Sequence, residues 1–144
     1  MIVAERYHDF SYGHRVAGHE SRCAMLHGHN GRAVFTCQAP ELDSLGRVID
    51  FSVIKSTLCE FLENEWDHRF LAWEKDPLMK ALDGSVEACE MLGDSIVWTP
   101  FNPTAENLAN HLLLVVGPAV LPPEVKLIRV QLWETRKCSA TAEL

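Results

Sequence analysis

Two histidines separated by one glycine, in the stretch HGHN at 27–30, constrain the fold of this chain more than any other feature. Side chains two positions apart at the start of a strand leave the same face, so the imidazoles of His27 and His29 could bind one ion. A third candidate ligand, His14, ends the first predicted strand, which covers 2–14. It would lie beside the pair if the two strands were antiparallel neighbours. The histidines therefore predict two paired strands with a metal site at one end.

Three neutral imidazoles would leave a tetrahedral zinc ion with one open position, which is the arrangement of a catalytic site. An isolated H-x-H pair is more often a simple pair of strand or surface histidines, and that alternative stays open. Cys23 lies four positions before His27, where a nearby cation would favour its thiolate. The thiolate could be a fourth ligand in a closed structural site, or a base or nucleophile beside an open metal. Spacing alone does not decide between these roles.

The first half of the chain reads as strands followed by a helix. A β-branched and aromatic stretch predicts a second strand over 32–39, and the turn-rich segment 40–46 predicts a hairpin to a further extended stretch at 47–51. Ser52 is predicted to cap a helix that ends near Trp66, because apolar residues recur there at helical spacing.

In the second half, residues 69–102 read as a longer irregular insert, with short helical pieces around 77–92 and an extended segment at 95–98. Asn102 is predicted to cap a second long helix that ends at Gly117. A strand over 125–135 and a short C-terminal strand follow. This order indicates an α+β fold, in which helices cover one face of an antiparallel sheet.

Length and composition narrow the class of protein. The 144 residues predict a single domain, 1–144, and no apolar run approaches the length of a membrane span. The five cysteines are widely spread and include no C-x-x-C pair, which argues against a disulfide framework. A formal net charge of −7 argues against nucleic acid as the main partner. The charged N-terminus does not have the pattern of a secretion signal, so we expect a cytoplasmic protein without a membrane partner.

Six motifs, in order along about residues 10–135, resemble those of the 6-pyruvoyltetrahydropterin synthase superfamily. They are FSYGH, CAMLHGHN, GRVIDFSVIK, WDHRFL, NPTAENLA and VQLWET. Three residues separate Cys23 from His27, as in the bacterial 6-carboxy-5,6,7,8-tetrahydropterin synthases of queuosine biosynthesis. The pyruvoyl-forming enzymes typically have a longer spacer and are the alternative.

The resemblance implies a tunnelling fold (T-fold), in which a four-stranded antiparallel sheet carries two main helices on one face. Such sheets assemble into a barrel, usually as a homohexamer made of two trimers, with active sites at subunit boundaries. It also implies a reaction, in which a zinc-dependent lyase converts 7,8-dihydroneopterin triphosphate to 6-carboxytetrahydropterin and releases acetaldehyde and triphosphate.

Site residues follow from the same resemblance. It implies that the zinc ligands are His14, His27 and His29, that the catalytic base is Cys23, and that the proton relay is Asp67 and His68. Glu134 matches the residue that anchors the pterin, and Thr104 and Glu106 match a segment lining the pterin pocket. For these last two residues, the first turn of a helix is an equally good explanation.

Glu134 also stands out from the strand pattern. It shares the parity of Ile128, Val130 and Leu132, and a carboxylate that ends an apolar row is costly unless it meets hydrogen-bond donors. The ring N–H and the 2-amino group of a pterin would supply two donors in a matching fork. Besides the pyruvoyl synthase, a zinc hydrolase and a structural zinc-binding module that performs no catalysis remain alternatives.

Overall fold

A computed structural model describes residues 1–144, which form six strands and four helices. The strands are β1 (Ala4–His14), β2 (His27–Gln38), β3 (Arg69–Trp73), β4 (Ile96–Thr99), β5 (Lys126–Trp133) and β6 (Ser139–Glu143). The helices are α1 (51–66), α2 (Pro77–Asp83), α3 (Val86–Leu92) and α4 (105–120). Both long helices contain wider turns, at Lys55–Cys59 and Leu62–Trp66 in α1 and at Leu112–Val116 in α4. None of the helices combines the length and apolar character needed to cross a bilayer.

All six strands belong to one mixed sheet with the order β4-β3-β1-β2-β5-β6. The pairs β1–β2, β2–β5 and β5–β6 are antiparallel, whereas β3 runs parallel to both β1 and β4. The predicted α+β class is confirmed, but the predicted sheet of four antiparallel strands omitted the two parallel strands. A connection that contains α2 and α3 joins the short strands β3 and β4, and a local sequence pattern does not reveal that they pair in parallel.

The hydrophobic core lies between one face of the sheet and the two long helices. Helix α1 packs over β1, and α4 packs over β5 and β6. Leu58 and Leu62 of α1 and Leu108 of α4 are fully buried there. Gly117 allows α4 to approach the sheet closely, because an added Cβ would lie 2.7 Å from the Leu127 side chain. No helix covers the opposite face, which carries polar side chains such as Asp9 and Arg32.

Two predicted helix caps are replaced by neighbouring residues. Asp50, rather than Ser52, caps α1, and its carboxylate accepts the backbone N–H of Ser52 at 2.8 Å. Thr104, rather than Asn102, caps α4 by accepting the N–H of Asn107 at 3.2 Å. Asn102 is used elsewhere, because its side-chain amide exchanges two hydrogen bonds with the backbone of Ala17. Helix α4 also continues three residues beyond its predicted end, to Val120.

The segment 40–51 contains no hairpin partner for β2. Its turn does form, since the Asp43 carboxylate accepts the backbone N–H groups of Leu45 and Arg47 at 2.9 Å each. The stretch after this turn leads directly into α1 instead of forming a strand. The predicted hairpin is therefore wrong. The predicted helical pieces around 77–92 are confirmed as α2 and α3, and the expected extended segment is β4.

Candidate metal and substrate site

The register of β1 against β2 brings the three predicted histidine ligands together. His14 is paired with His27, and Tyr12 is paired with His29. All three imidazoles lie on the helix-covered face, at the end of the sheet. One ligating nitrogen from each ring lies within 4.8 Å of the other two. The antiparallel pairing expected from the histidines is thus present, and these rings form one cluster.

Hydrogen bonds to backbone carbonyls orient two of the rings. The Nδ1 atom of His14 lies 2.6 Å from the carbonyl oxygen of Pro103, and Nδ1 of His27 lies 2.7 Å from that of Met25. A carbonyl can only accept, so in both rings Nδ1 carries the proton and Nε2 presents its lone pair. Metal-binding histidines in proteins are oriented in the same way, by donation from the second ring nitrogen.

The spacing of the nitrogens fits a zinc ion. Nε2 of His29 lies 3.1 Å from Nε2 of His14. Tetrahedral zinc with bonds of about 2.0–2.1 Å to nitrogen would separate two ligand nitrogens by about 3.3 Å. Ring centroids are 4.6 to 5.0 Å apart across the three pairs, so no ring blocks the centre of the cluster. The residues present therefore match the donor set and spacing that zinc requires.

Burial keeps two of the rings neutral. It lowers the pKa of His14 to about 4, although the hydrogen bond to Pro103 acts in the opposite direction. Burial, together with the charge that His27 can carry, also lowers the pKa of His29. Neutral imidazole is the form that binds a metal, so both ligands are available at neutral pH.

The Glu134 carboxylate lies beside this cluster. Its Oε1 is 3.6 Å from Nε2 of His14, and its Oε2 is 3.9 Å from Nε2 of His29. Burial raises the pKa of Glu134, and the neighbouring carboxylate of Glu106 adds to that effect. Glu134 directly follows β5 on the face expected from its parity with Val130 and Leu132. The structure thus places the expected pterin anchor and the expected metal ligands in one site.

A cavity of about 290 Å³ opens next to the cluster, which is the lower end of the usual range for ligand pockets. Its lining includes five residues predicted from the sequence, namely His14, Cys23, Thr104, Glu106 and Glu134. Thr104 caps α4 as well, so the structural explanation for this residue also holds. His19 and Cys138 line the same cavity and were not predicted. Cys138 lies beyond every motif, and only the turn between β5 and β6 brings it here.

Cys23 lies in the connection between β1 and β2, in a single tight turn formed by Arg22–Ala24. Its side chain is exposed and is not part of the group of atoms that could hold a metal. The backbone carbonyl of Cys23 accepts the N–H of Val16 at 2.7 Å, which draws the turn towards the end of β1. This geometry favours an accessible thiol near the cluster over a fourth ligand.

Asp67 and His68 form a hydrogen-bonded pair at the start of β3. Nδ1 of His68 donates to Oδ2 of Asp67 at 2.7 Å, and the backbone N–H of Ser11 donates to Oδ1 at 2.8 Å. Burial alone would raise the pKa of Asp67, but these two hydrogen bonds lower it below its ordinary value. Adjacent residues in a strand point apart, so the sequence did not predict this contact. His68 escapes that rule because its φ is 60°, which is uncommon for a residue other than glycine.

The Asp67–His68 pair lies apart from the cavity that contains Cys23. The His68 side chain is 81% exposed. It borders a depression of about 880 Å³ whose lining includes Arg32, Trp133 and Arg136. Two of these residues, Arg32 and Trp133, lie on the sheet face that no helix covers. Within a single chain, His68 lines a depression together with His29, but it does not line the cavity that contains Cys23 and Glu134.

Comparison with known proteins gives a consistent result. A sequence model of the 6-pyruvoyl tetrahydropterin synthase family matches residues 3–144. A Rickettsia felis protein named 6-carboxy-5,6,7,8-tetrahydropterin synthase is 33% identical over 139 residues, which cover 96% of this chain and 97% of that protein. The Aquifex aeolicus protein of the same name is 33% identical over 124 residues and covers 83% and 75%.

Solved structures agree in fold. An uncharacterized protein from Wolinella succinogenes superimposes with a TM-score of 0.85 at 27% identity, covering 99% of this chain and 97% of its own. The 6-pyruvoyl tetrahydropterin synthase of Caenorhabditis elegans superimposes with a TM-score of 0.67 at 22% identity, covering 99% and 95%. At that identity the second likeness supports the fold alone.

Proposed function

The chain belongs to the 6-pyruvoyl tetrahydropterin synthase family, and we propose that it is a zinc-dependent 6-carboxy-5,6,7,8-tetrahydropterin synthase. Its substrate would be 7,8-dihydroneopterin triphosphate, and its products 6-carboxytetrahydropterin, acetaldehyde and triphosphate. The observation that carries this proposal is a cavity lined by Cys23, Glu134 and His14, in which His14 belongs to a cluster of three histidines whose ring nitrogens lie within 4.8 Å of one another. The names of the relatives and the short spacer between Cys23 and His27 favour this reaction over pyruvoyl formation.

His14, His27 and His29 would hold the zinc ion. When bound, zinc would supply a Lewis acid for the side-chain oxygens of the substrate. The protein's own contribution is to fix the ligands in advance, because the carbonyls of Pro103 and Met25 hold two rings with Nε2 turned inward. Such pre-orientation lowers the reorganisation needed when the substrate arrives.

Glu134 would anchor the pterin ring. Its carboxylate can accept hydrogen bonds from the ring N–H and the 2-amino group together, which fixes the plane of the ring. Because the same carboxylate lies within 4 Å of two ligand nitrogens, a pterin bound to it would direct its side chain across the metal cluster. Thr104 and Glu106 line the cavity near that position.

Cys23 would act as the base that removes a proton from the substrate side chain. A nearby dication favours the thiolate, and the thiol is exposed where the cavity opens. His68 would exchange protons on the other side of the side chain. The Asp67 carboxylate would orient its ring, since it fixes the proton on Nδ1 and leaves Nε2 to exchange.

Since His68 lies on a different surface from Cys23, we propose that a second copy of the chain contributes it. The sheet has suitable free edges, because β4 and β6 have no outer neighbours and β3 covers only the last three residues of β1. Pairing of such edges between copies would remove an aggregation hazard and form a barrel. The assembly we expect is a homohexamer made of two trimers.

The proposed reaction is tested by mass spectrometry after the metal-loaded protein is incubated with 7,8-dihydroneopterin triphosphate. Carboxytetrahydropterin with acetaldehyde is the expected outcome. Formation of pyruvoyltetrahydropterin would assign the alternative synthase activity. A protein that binds zinc but leaves this substrate unchanged would contradict both and favour a zinc hydrolase or a structural module.

Mixing two inactive variants tests the sharing of the site between copies. If Cys23 and His68 of one site come from different chains, unfolding and reassembling Cys23→Ala with His68→Ala should restore activity at roughly a quarter of the sites, assuming random assembly. A matched control mixes Cys23→Ala with Glu134→Gln, which lie in one cavity of one chain, and should give no more activity than Glu134→Gln alone at a low substrate concentration. Equal results from both mixtures would contradict a shared site.

A further inference from the structure

Arg15 holds the connection that carries Cys23. This residue follows the metal-cluster residue His14, and its guanidinium makes two hydrogen bonds in different directions. Nε donates to Oδ2 of Asp76 at 2.7 Å, and Nη1 donates to the backbone carbonyl of Ala24 at 2.9 Å. Ala24 is the residue after Cys23. The Arg15 guanidinium thus links the Cys23 turn to Asp76, which lies 61 positions after Arg15 in the sequence.

Asp76 is itself fixed. It is 1% exposed, and its second oxygen, Oδ1, accepts the N–H of Leu78 at 3.0 Å and so caps helix α2. Its backbone N–H donates to the carbonyl of Trp73, the last residue of β3, at 3.0 Å. Both carboxylate oxygens are therefore engaged, one by the helix and one by Arg15. The Asp76 carboxylate therefore contacts the start of α2 directly and the Cys23 turn through Arg15.

Apart from the hydrogen bond between His27 and the Met25 carbonyl and the backbone bonds within the turn, the remaining contacts of the connection lie nearer its start. Val16 donates to the Cys23 carbonyl, and Ala17 exchanges two hydrogen bonds with the side chain of Asn102. These contacts position the first residues of the connection. On the far side of Cys23, the carbonyl of Ala24 receives a side-chain hydrogen bond from Arg15. Without that bond, the hydrogen bonds of Val16 and Ala17 would remain, but the side-chain contact next to the Cys23 thiol would be lost.

We propose that Arg15 is a positioning residue that fixes the Cys23 thiol relative to the histidine cluster, with Asp76 as its anchor in the helical insert. The role given to Cys23 rests on the proposed function, whereas the hold on the turn rests on the hydrogen bonds alone. Arginine is required because its fork reaches a carboxylate and a carbonyl at once. The single ammonium of a lysine replaces one of these contacts and not both.

The variant Arg15→Lys tests this role, since it keeps the positive charge beside the buried Asp76. A misplacement of about 1 Å can reduce turnover about 100-fold, so we expect kcat to fall by about that factor. KM should change much less, because pterin recognition by Glu134 is untouched. Zinc content should stay at the wild-type level. Arg47→Lys is the matched control, since Arg47 also bridges two acceptors, Asp43 and Asp50, at an exposed site.

A second measurement is independent of turnover. Iodoacetamide labelling followed by peptide mass spectrometry gives the alkylation rate of Cys23 relative to exposed Cys138 in the same molecule. The Cys23 thiol is already exposed, and a released turn would let the reagent approach it from more directions, so we expect this ratio to rise in Arg15→Lys and to stay at the wild-type value in Arg47→Lys. Hydrogen exchange of 17–26 should rise in parallel, because fewer contacts hold that backbone.

The outcomes separate the two proposals. Wild-type kcat together with an unchanged alkylation ratio in Arg15→Lys would overturn the positioning role. If the wild-type protein does not convert the pterin substrate, the proposed function fails, while the alkylation ratio still tests the hold on the turn. If Arg15→Lys loses zinc along with activity, Arg15 acts on the metal cluster rather than on Cys23, and the proposal is wrong. Asp76→Asn, which retains an oxygen to cap α2, should reproduce the rise in alkylation.

Discussion

Replacement of Glu134 by glutamine separates pterin recognition from metal binding. The side chain is 25% exposed, and its two oxygens face the nitrogens of His14 and His29. Glutamine keeps the shape of the side chain but places an NH₂ donor where one acceptor stood. A pterin bound here would then direct one of its own donors at another donor, and one hydrogen bond would be lost outright.

The size of the effect follows from the charge and the burial. A hydrogen bond to a charged group contributes about 1.5–3 kcal/mol, and the unpaired donor adds a desolvation cost. Partial exposure allows water to replace some of the lost interaction, so the total should lie at about 2–3 kcal/mol. That corresponds to a dissociation constant raised roughly 30- to 150-fold. A smaller effect on zinc is also expected, because a negative charge near the cation is removed.

Isothermal titration with a non-reactive pterin that lacks the triphosphate measures this effect directly, and metal analysis of the same preparations measures zinc. Glu143→Gln is the matched control, because Glu143 is 71% exposed at the other end of β6 and should not affect pterin affinity. Equal affinity of wild type and Glu134→Gln would refute the pterin-anchor role. A loss of affinity fully explained by lost zinc would assign the carboxylate to the metal site instead.

Four further outcomes test the rest of the site. His27→Ala should lose most of the zinc that metal analysis finds in the wild type, because two imidazoles bind the ion weakly. Cys23→Ala should keep zinc but lose turnover, whereas loss of zinc would make the thiol a ligand. His68→Ala should lower kcat by about 100-fold or more without disrupting assembly, as judged by size-exclusion chromatography, since acid–base residues contribute on that scale. Because the pKa of Asp67 in the folded protein is below its ordinary value, the ionised carboxylate stabilises the fold above that ordinary value, and this contribution is lost as the pH falls through the lower folded-state pKa. The difference in unfolding free energy between wild type and Asp67→Asn, measured by urea titration, should therefore become smaller as the pH is lowered.

Local periodicity predicted the part of the fold that surrounds the metal cluster. The alternation in 2–14 and the H-x-H pair fix which faces of β1 and β2 carry the imidazoles, and the observed register agrees. The parity of Glu134 with Val130 and Leu132 was also sufficient to place its carboxylate on that face. These features succeed because a strand imposes a period of two on its side chains, whatever its neighbours are.

Features that depend on distant parts of the chain were missed. Strand β3 is only five residues long and gains its place by parallel pairing with Tyr12–His14, which no local pattern encodes. The pairing of Arg15 with Asp76 joins residues that no motif relates. Cys138 reaches the cavity only because a turn reverses the chain after β5. In each case the missing information is a long-range contact rather than a propensity.

Strand geometry also explains why the predicted site residues of one chain lie in two separate places. The histidine cluster and Glu134 use the helix-covered face of β1, β2 and β5, where α4 closes the cavity from the side. Asp67 is bound to the backbone of Ser11, between β1 and β3, and the positive φ of His68 turns its ring away from the core towards solvent. Within one chain, His68 lines a depression together with His29, but it does not line the cavity that contains Cys23 and Glu134. In the assembly proposed above, the proton relay that serves this cavity would come from a second copy of the chain, which would present the same exposed Asp67–His68 pair. Such a contact would be head to tail, since the cavity of one copy would meet the relay of the next, and a head-to-tail contact forms a ring when its rotation closes.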